Sequence, residues 1–342
     1  PTERLAFFDP DWNRGNTVLM HKEPHGIWRV DYQLPKGESP EEALLPERLK
    51  ARIDAQLAMI GYPGIAWELD WSSVYSARTL TLPSYSLGRV QFVGDAAHLL
   101  PIFGVRGANT AFQDAQSLGW HLAWVCRGLA GASLLNNFSS ERVGAAREII
   151  EEAGKSVRFM TPPSTGHEWV RNAVLSLSLT EAFVRPLYHW RTSRPHEYTH
   201  SSLNASDDQN ARFTTGPAHG AMALNVRLSD DNHLLDHLGG GFDLLWFSKH
   251  PVPDEVLREL AMWHEKNWPI RVVAISQEKS PVTGADVSLC DYHGRARTIY
   301  GVDSDSAAYL LRPDQHVCGR WQDLHVPSLA KVLRQIAQEP NP

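Results

Sequence analysis

Apolar and polar positions follow three different rhythms along the chain. From the start to about Leu87, short runs with a period of two stand between turn residues: Leu5-Ala6-Phe7-Phe8, Val18-Leu19-Met20 and Ile27 to Tyr32, divided by Asn13-Arg14-Gly15-Asn16 and Pro24-His25-Gly26. One amphipathic helix is predicted over Pro46 to Ile60, ended by Gly61-Tyr62-Pro63-Gly64. Further β-type runs are predicted at Ala66 to Tyr75 and Ala77 to Leu82. A middle region opens with a strand at Arg89 to Val93 and then turns helical. Ala108, Ala111, Phe112, Ala115, Leu118, Gly119, Leu122 and Ala123 fall on one stripe of a predicted helix, and a second helix is expected over Leu134 to Arg158. The last region reads strand (Phe242 to Phe247), helix (Asp254 to Trp268), strand (Ile270 to Ser276) and strand (Asp286 to Cys290). A hairpin then pairs Ala307–Leu311 with Val317–Trp321, and a closing helix starts at Pro327. Thr, Ser, Asn, Asp, Gly and Pro crowd residues 201–220, a composition expected of a linker.

Composition narrows the function classes. The 342 residues carry Lys+Arg 33 against Asp+Glu 39, a net charge of -6, so there is no basic excess to hold a nucleic-acid backbone. No apolar run approaches the roughly 20 residues of a membrane span, and neither nucleic acid nor membrane is an expected partner. Three cysteines, Cys126, Cys290 and Cys318, describe no disulfide framework and fit a reducing cytoplasm. Among the 16 histidines the His21/His25 pair is turned by Pro24 and Gly26, and no metal site is expected. Cys290 and Cys318 read as buried strand residues.

Chemistry concentrates between Arg89 and Thr110. A short apolar strand ends in Gly94-Asp95-Ala96, and a loop holding Pro101, Gly104, Arg106 and Gly107 leads into a helix at Ala108-Asn109. Gly94 has no Cβ to keep a ligand away from the backbone. Asp95 can accept hydrogen bonds from sugar-type hydroxyls. Gly104 and Gly107 permit an outward-facing turn, and the helix start offers unpaired N–H donors with a positive dipole end. This arrangement suits a cofactor that becomes anionic. The plain alternative is an ordinary strand-loop-helix connection with Asp95 as its cap, and His98 reads equally as part of the motif or as a satisfied loop histidine.

In order and spacing the string resembles the second flavin motif of the class A flavoprotein aromatic hydroxylases, the p-hydroxybenzoate hydroxylase-like FAD monooxygenases: Gly-Asp-Ala-Ala-His, then Pro, then Gly-x-x-Gly-x-Asn opening a helix. Asp114-Ala115 and Ser117 to Ala123 match that helix, Phe138-Ser-Ser-Glu141-Arg142 resembles the next one, and Trp28-Arg29-Val30-Asp31 resembles a strand of the substrate domain. Tyr309 to Trp321 resembles the C-terminal thioredoxin-like domain of phenol hydroxylase and, more closely, of 3-(3-hydroxyphenyl)propionate hydroxylase. The resemblance implies an α/β (α+β) fold: a partial substrate-binding β-sheet domain over residues 1–87, the C-terminal portion of an FAD-binding domain over 88–200, the 201–220 linker, and a thioredoxin-like domain without Cys-x-x-Cys over 221–342.

The resemblance also implies roles. Gly94, Asp95, Ala96, Pro101, Gly104, Gly107, Ala108 and Asn109 would bind FAD, with Pro101 along the flavin ring. Arg106 would stabilise the anionic reduced flavin, so Pro101 and Arg106 are the expected catalytic residues. Trp28, Tyr75, Arg78 and Ile102 are candidates for the substrate cavity, Ile102 standing where many members have a second proline. Arg29 or Arg78 is a candidate for a substrate carboxylate. NAD(P)H and O2 would be co-substrates, a phenolic acid the substrate, and a homodimer one expected assembly. The family's opening Gly-x-Gly-x-x-Gly occurs nowhere in the sequence. The expectation is that the N-terminal part of the pattern was removed or belongs to a separate chain. Two classes therefore stand: a flavin-dependent hydroxylase represented by its C-terminal portion, and a non-catalytic module that retains the sheet and the thioredoxin-like domain for association.

Overall fold

The structure, a computed structural model, describes residues 4–102, 106–187, 195–206 and 208–338. These divide into two units, one formed by residues 1–79, 101–104 and 150–192, the other by 80–100, 105–149 and 193–342.

In the first unit, β1 (Leu5–Phe8), β2 (Thr17–Lys22) and β3 (Trp28–Tyr32) form an antiparallel meander in the order β1-β2-β3. Alternation along β2 buries Val18 and Met20. The short helix α1 (Pro40–Ala43) starts in a capping box in which Ser39 and Glu42 satisfy each other's backbone N–H. Helix α2 (Pro46–Met59) starts on a proline, and buried Gln56 accepts from the indole N–H of Trp12 at 2.8 Å. Residues 66–79, expected as strands, pair with no described strand. Leu69, Trp71 and Tyr75 in this stretch are exposed, so an alternating pattern found no sheet edge on which to bury its apolar side. The end of α4 (Leu134–Met160) and helix α5 (Thr165–Leu177) complete this unit. Thr17 Oγ1 donates to the Met160 carbonyl at 2.6 Å, and Arg171 lies 5.6 Å from the Phe8 ring.

The second unit holds two short antiparallel pairs, β4 (Leu80–Thr81) with β7 (His98–Leu99) and β5 (Ser86–Leu87) with β6 (Val90–Gln91). Helix α3 (Gly107–Cys126) follows. Its apolar stripe is not its buried face. Phe112 is 73% and Leu122 40% exposed, whereas Thr110, Asp114, Ser117, Trp120, His121 and Trp124 are buried. Asp114 and the Trp120 indole on that face find partners elsewhere in the unit, which offsets the cost of burying them, and the two tryptophans supply the apolar contact.

The C-terminal part is a five-stranded sheet in the order β12-β11-β10-β13-β14. Here β10 is Phe242–Phe247, β11 Ile270–Ser276, β12 Val287–Cys290, β13 Ala307–Leu311 and β14 Val317–Trp321. β10, β11 and β12 run parallel, while β13 and β14 are antiparallel to their neighbours. All six residues of β10 are buried because both faces of the sheet are covered. Phe242, Leu244 and Trp246 meet α6 (Asp254–Glu265), α8 (Val326–Ala337) and the tryptophans of α3. Leu245 and Phe247 face a second core with Phe213 and with Tyr300, which follows α7 (Arg295–Ile299). β8 (Arg227–Ser229) and β9 (Asn232–His233) make a small hairpin beside that core.

The stretch 201–220 is packed against this sheet and is not an open connector. Leu203 and Phe213 are buried, and Ala205 N–H and Gly220 N–H donate to Cys318 and Val317 carbonyls at 2.6 and 2.7 Å. Its polar composition marks a loop, but a few apolar anchors and backbone bonds hold the loop down. Of the two cysteines expected to be buried, Cys318 is buried and Cys290 is partly exposed. Among the described residues no helix is long and apolar enough to cross a membrane.

Candidate functional site

β6 delivers the chain to Val93, still extended, and then to Gly94 at φ +56°. That left-handed conformation suits glycine, and a Cβ here would stand 3.2 Å from Ala111 Cβ on α3. A tight turn over Gly94–Ala96 follows, so Asp95 lies in a turn at the strand end and caps no helix. Asp95 and Ala96 are exposed; Gly94 and Ala97 are buried. The Asp95 carboxylate makes no hydrogen bond among the described residues and is available to a ligand.

α3 begins at Gly107, with Arg106 as its N-cap residue. The Thr110 N–H makes the first helical bond, to the Arg106 carbonyl at 2.9 Å, so the N–H groups of Gly107, Ala108 and Asn109 precede the ladder. Ala108 and Asn109 are exposed. Burial lowers the Arg106 pKa while Glu148 acts in the opposite direction. Gly104 lies outside the described residues.

Beneath the turn is an anchor that the sequence pattern had named only as Asp114-Ala115 and Glu141-Arg142. Asp114 is fully buried on α3. Its Oδ2 accepts from Gly94 N–H at 3.0 Å and from His98 Nε2 at 2.7 Å, and its Oδ1 accepts from Arg142 Nε at 2.6 Å. Burial alone would raise its pKa, but His98, Arg142 and Gly94 outweigh it and hold the carboxyl below the usual range. His98 is thus a buried prop of the turn, held through Nε2 by Asp114. The available signal was the run of polar residues at 110, 114, 117 and 121, which share one helical face.

The substrate candidates are not gathered around a described cavity. Trp28 is half-buried at the start of β3, and Arg78 is exposed. Arg29 is paired with Asp31 at 3.0 Å. Tyr75 is 60% exposed, its pKa raised by partial burial and by Asp31. Pro101 is buried and Ile102 40% exposed, both in the first unit. The groove found in that unit, about 530 Å³, is lined by other residues, among them Lys50, Asp54, Ile65 and Trp67.

The Gly94–Ala96 turn thus carries an exposed carboxylate and packs closely on α3, whose first N–H groups precede its hydrogen-bond ladder. Comparison with known proteins shows what the chain is similar to. The sequence model of the FAD binding domain family matches residues 13–153, a span that contains the whole string. The fold is that of flavin-dependent monooxygenases. The flavin-dependent monooxygenase PieE, solved with FAD and substrate, superposes with TM-score 0.72 over 95% of this chain and 60% of its own, at 22% identity. Aklavinone-11 hydroxylase, solved with FAD and aklavinone, gives 0.68 over 94% and 57%, at 24% identity.

Particular relatives follow by sequence. A 3-(3-hydroxy-phenyl)propionate/3-hydroxycinnamic acid hydroxylase of Mycobacterium avium (strain 104) is 27% identical over 315 residues, covering 90% of this chain and 53% of the relative. A 4-methyl-5-nitrocatechol 5-monooxygenase of Burkholderia sp is 30% identical over 274 residues, covering 78% and 46%. These relatives are oxidoreductases that act on aromatic compounds, and the chain spans about half of their length.

Proposed function

We propose that this chain is the flavin-facing and C-terminal portion of an FAD-dependent monooxygenase that hydroxylates a phenolic acid such as 3-(3-hydroxyphenyl)propionate with NAD(P)H and O2. The reading rests above all on the Gly94–Ala96 turn, with its exposed Asp95, braced from below by buried Asp114. In this reading residues 1–87 belong to the substrate domain and 88–200 to the FAD-binding domain. Residues 221–342 form a thioredoxin-like domain whose βαβ and ββα order has no Cys-x-x-Cys. A homodimer is the proposed assembly.

FAD fits the residues present, because Asp95 offers an exposed, unused acceptor on a turn packed against α3. When bound, the flavin supplies the redox chemistry, accepting electrons from NAD(P)H and activating O2 for transfer of one oxygen atom to the ring. Asp95 accepts hydrogen bonds from ribityl hydroxyls. The N–H groups of Gly107, Ala108 and Asn109, at the positive end of a 20-residue helix, favour negative charge on the cofactor's edge, and Arg106 adds to that field. Pro101 would present a rigid, donor-free surface to the ring, and Ile102 would help keep water away. Trp28 and Tyr75 line the substrate side, with Arg78 as the cation for a carboxylate.

The test supplies FAD and the part of the Mycobacterium avium hydroxylase that lies outside the match, then follows NAD(P)H oxidation and product mass. Stimulation by 3-(3-hydroxyphenyl)propionate but not by phenol, with a product one oxygen heavier, is expected. No stimulation by any phenolic acid rejects the substrate class.

A further inference from the structure

Glu141 and Arg142 are neighbours on α4, and each is bound to a different part of the second unit. Arg142 reaches Asp114, which holds the Gly94 turn. Glu141 receives both terminal nitrogens of Arg312 at 2.7 and 2.9 Å. Arg312 comes from the turn between β13 and β14 and also grips Asp314, with Nε to Oδ1 at 3.0 Å and Nη2 to Oδ2 at 2.6 Å. Asp314 in turn accepts from the Trp120 indole N–H of α3 at 2.9 Å. A second strand of contacts runs alongside. Tyr198 OH accepts from Arg142 Nη1 at 2.9 Å, and its ring lies 5.2 Å from the Arg312 guanidinium and 4.3 Å from the His316 ring. None of Asp114, Glu141, Arg142, Tyr198, Arg312 and Asp314 is more than 5% exposed.

The charges explain why the relay is directional. Three buried carboxylates face two guanidiniums. Both oxygens of Glu141 and of Asp314 are met by Arg312, while Arg142 meets only one oxygen of Asp114. The other oxygen takes its donors from the turn itself, Gly94 N–H and His98. An unmet buried carboxylate oxygen is costly, so the turn is drawn down onto Asp114 wherever α3 and α4 hold Asp114 and Arg142 in register. Arg312 and Asp314 fix that register by binding one residue on each helix, Trp120 and Glu141.

From this connectivity we propose that the C-terminal sheet domain, which carries no redox motif of its own, sets the geometry of the Gly94–His98 turn, with Arg312 as its positioning residue. The importance for flavin binding rests on the function proposed above; the relay itself does not.

Hydrogen–deuterium exchange of the ligand-free chain reads the turn directly. In the paired variant Arg312→Met/Glu141→Gln, which removes both charges together, exchange in the peptide spanning Gly94–His98 should rise at least tenfold while β11 keeps its protection. Arg312→Lys should fall between this variant and the wild type, and Asp114→Asn should loosen the same peptide. Unchanged exchange at Gly94–His98 in the paired variant overturns the proposal, as does loosening of β11 to the same extent, which marks a general stabilising role. Parallel titration with FAD separates the two claims. Wild-type protein that takes up no FAD, alone or with the complementing polypeptide, fails the flavin reading, while the exchange data still decide the relay.

Discussion

Replacing His121 with Leu should flatten the acid side of the stability profile of the second unit. His121 is fully buried on α3, beside the Trp120 ring at 3.8 Å between centroids and the Phe138 ring at 6.1 Å. Its Nδ1–H donates to the Ser117 carbonyl at 2.7 Å, and Nε2 has no hydrogen-bond partner among the described residues. Burial pushes its pKa down from 6.5 to about 4, against the pull of Glu141. The folded protein therefore keeps the ring neutral where the unfolded chain protonates it. Stability is complete above the unfolded value and is lost as pH falls from 6.5 toward the folded value of about 4. That gap corresponds to about 3 kcal/mol in full, of which about 2 kcal/mol is lost between about pH 7 and about pH 5. Asp114, Glu141 and Asp314, held low by their cationic partners despite burial, give up their contribution only at lower pH. His196, also lowered by burial, titrates in both proteins and cancels in the comparison. Urea unfolding followed by tryptophan fluorescence measures the difference. Equal losses between the two pH values in wild type and His121→Leu would refute the reasoning.

The reversed face of α3 gives a contrast between two neighbouring aromatics. Phe112→Ser should change stability by no more than about 0.5 kcal/mol, and Trp120→Ala should cost about 3–5 kcal/mol in thermal or urea unfolding. The opposite ranking would restore the apolar stripe as the core face. Thiol labelling should modify exposed Cys126 first and leave Cys318, whose thiol burial pushes up to about 12, untouched until the protein unfolds. Labelling of Cys318 in the native state would contradict its placement on β14.

The C-terminal sheet was legible because its strands are buried on both faces. Phe242–Phe247 and Ile270–Ser276 are apolar runs interrupted by Asp243 and Arg271, and the hairpin 307–311 with 317–321 falls where the pattern predicts it. Periodicity failed on α3, where Asp114 and Trp120 on the buried face are partnered far along the chain. Arg142 lies 28 residues from Asp114, and Arg312 lies 171 from Glu141. No local pattern encodes such pairings, so the run from Gly94 to Asn109 could be singled out in the sequence as a candidate and its buried brace could not. Residues 66–79 failed for a related reason: a strand is defined by its neighbour as much as by its own alternation.

Binding of FAD by the Gly94–Asn109 segment is the claim on which the rest depends, and an equilibrium titration of FAD, followed by flavin fluorescence, tests it most directly. Wild-type chain, mixed with the complementing part of the Mycobacterium avium hydroxylase, should bind FAD saturably. Asp95→Ala, whose exposed carboxylate makes no bond within the described structure, should fold normally and bind at least about tenfold more weakly, the loss of one charge-assisted hydrogen bond. FAD uptake that is the same with and without the Asp95 carboxylate, or no uptake by the wild type, would contradict the account.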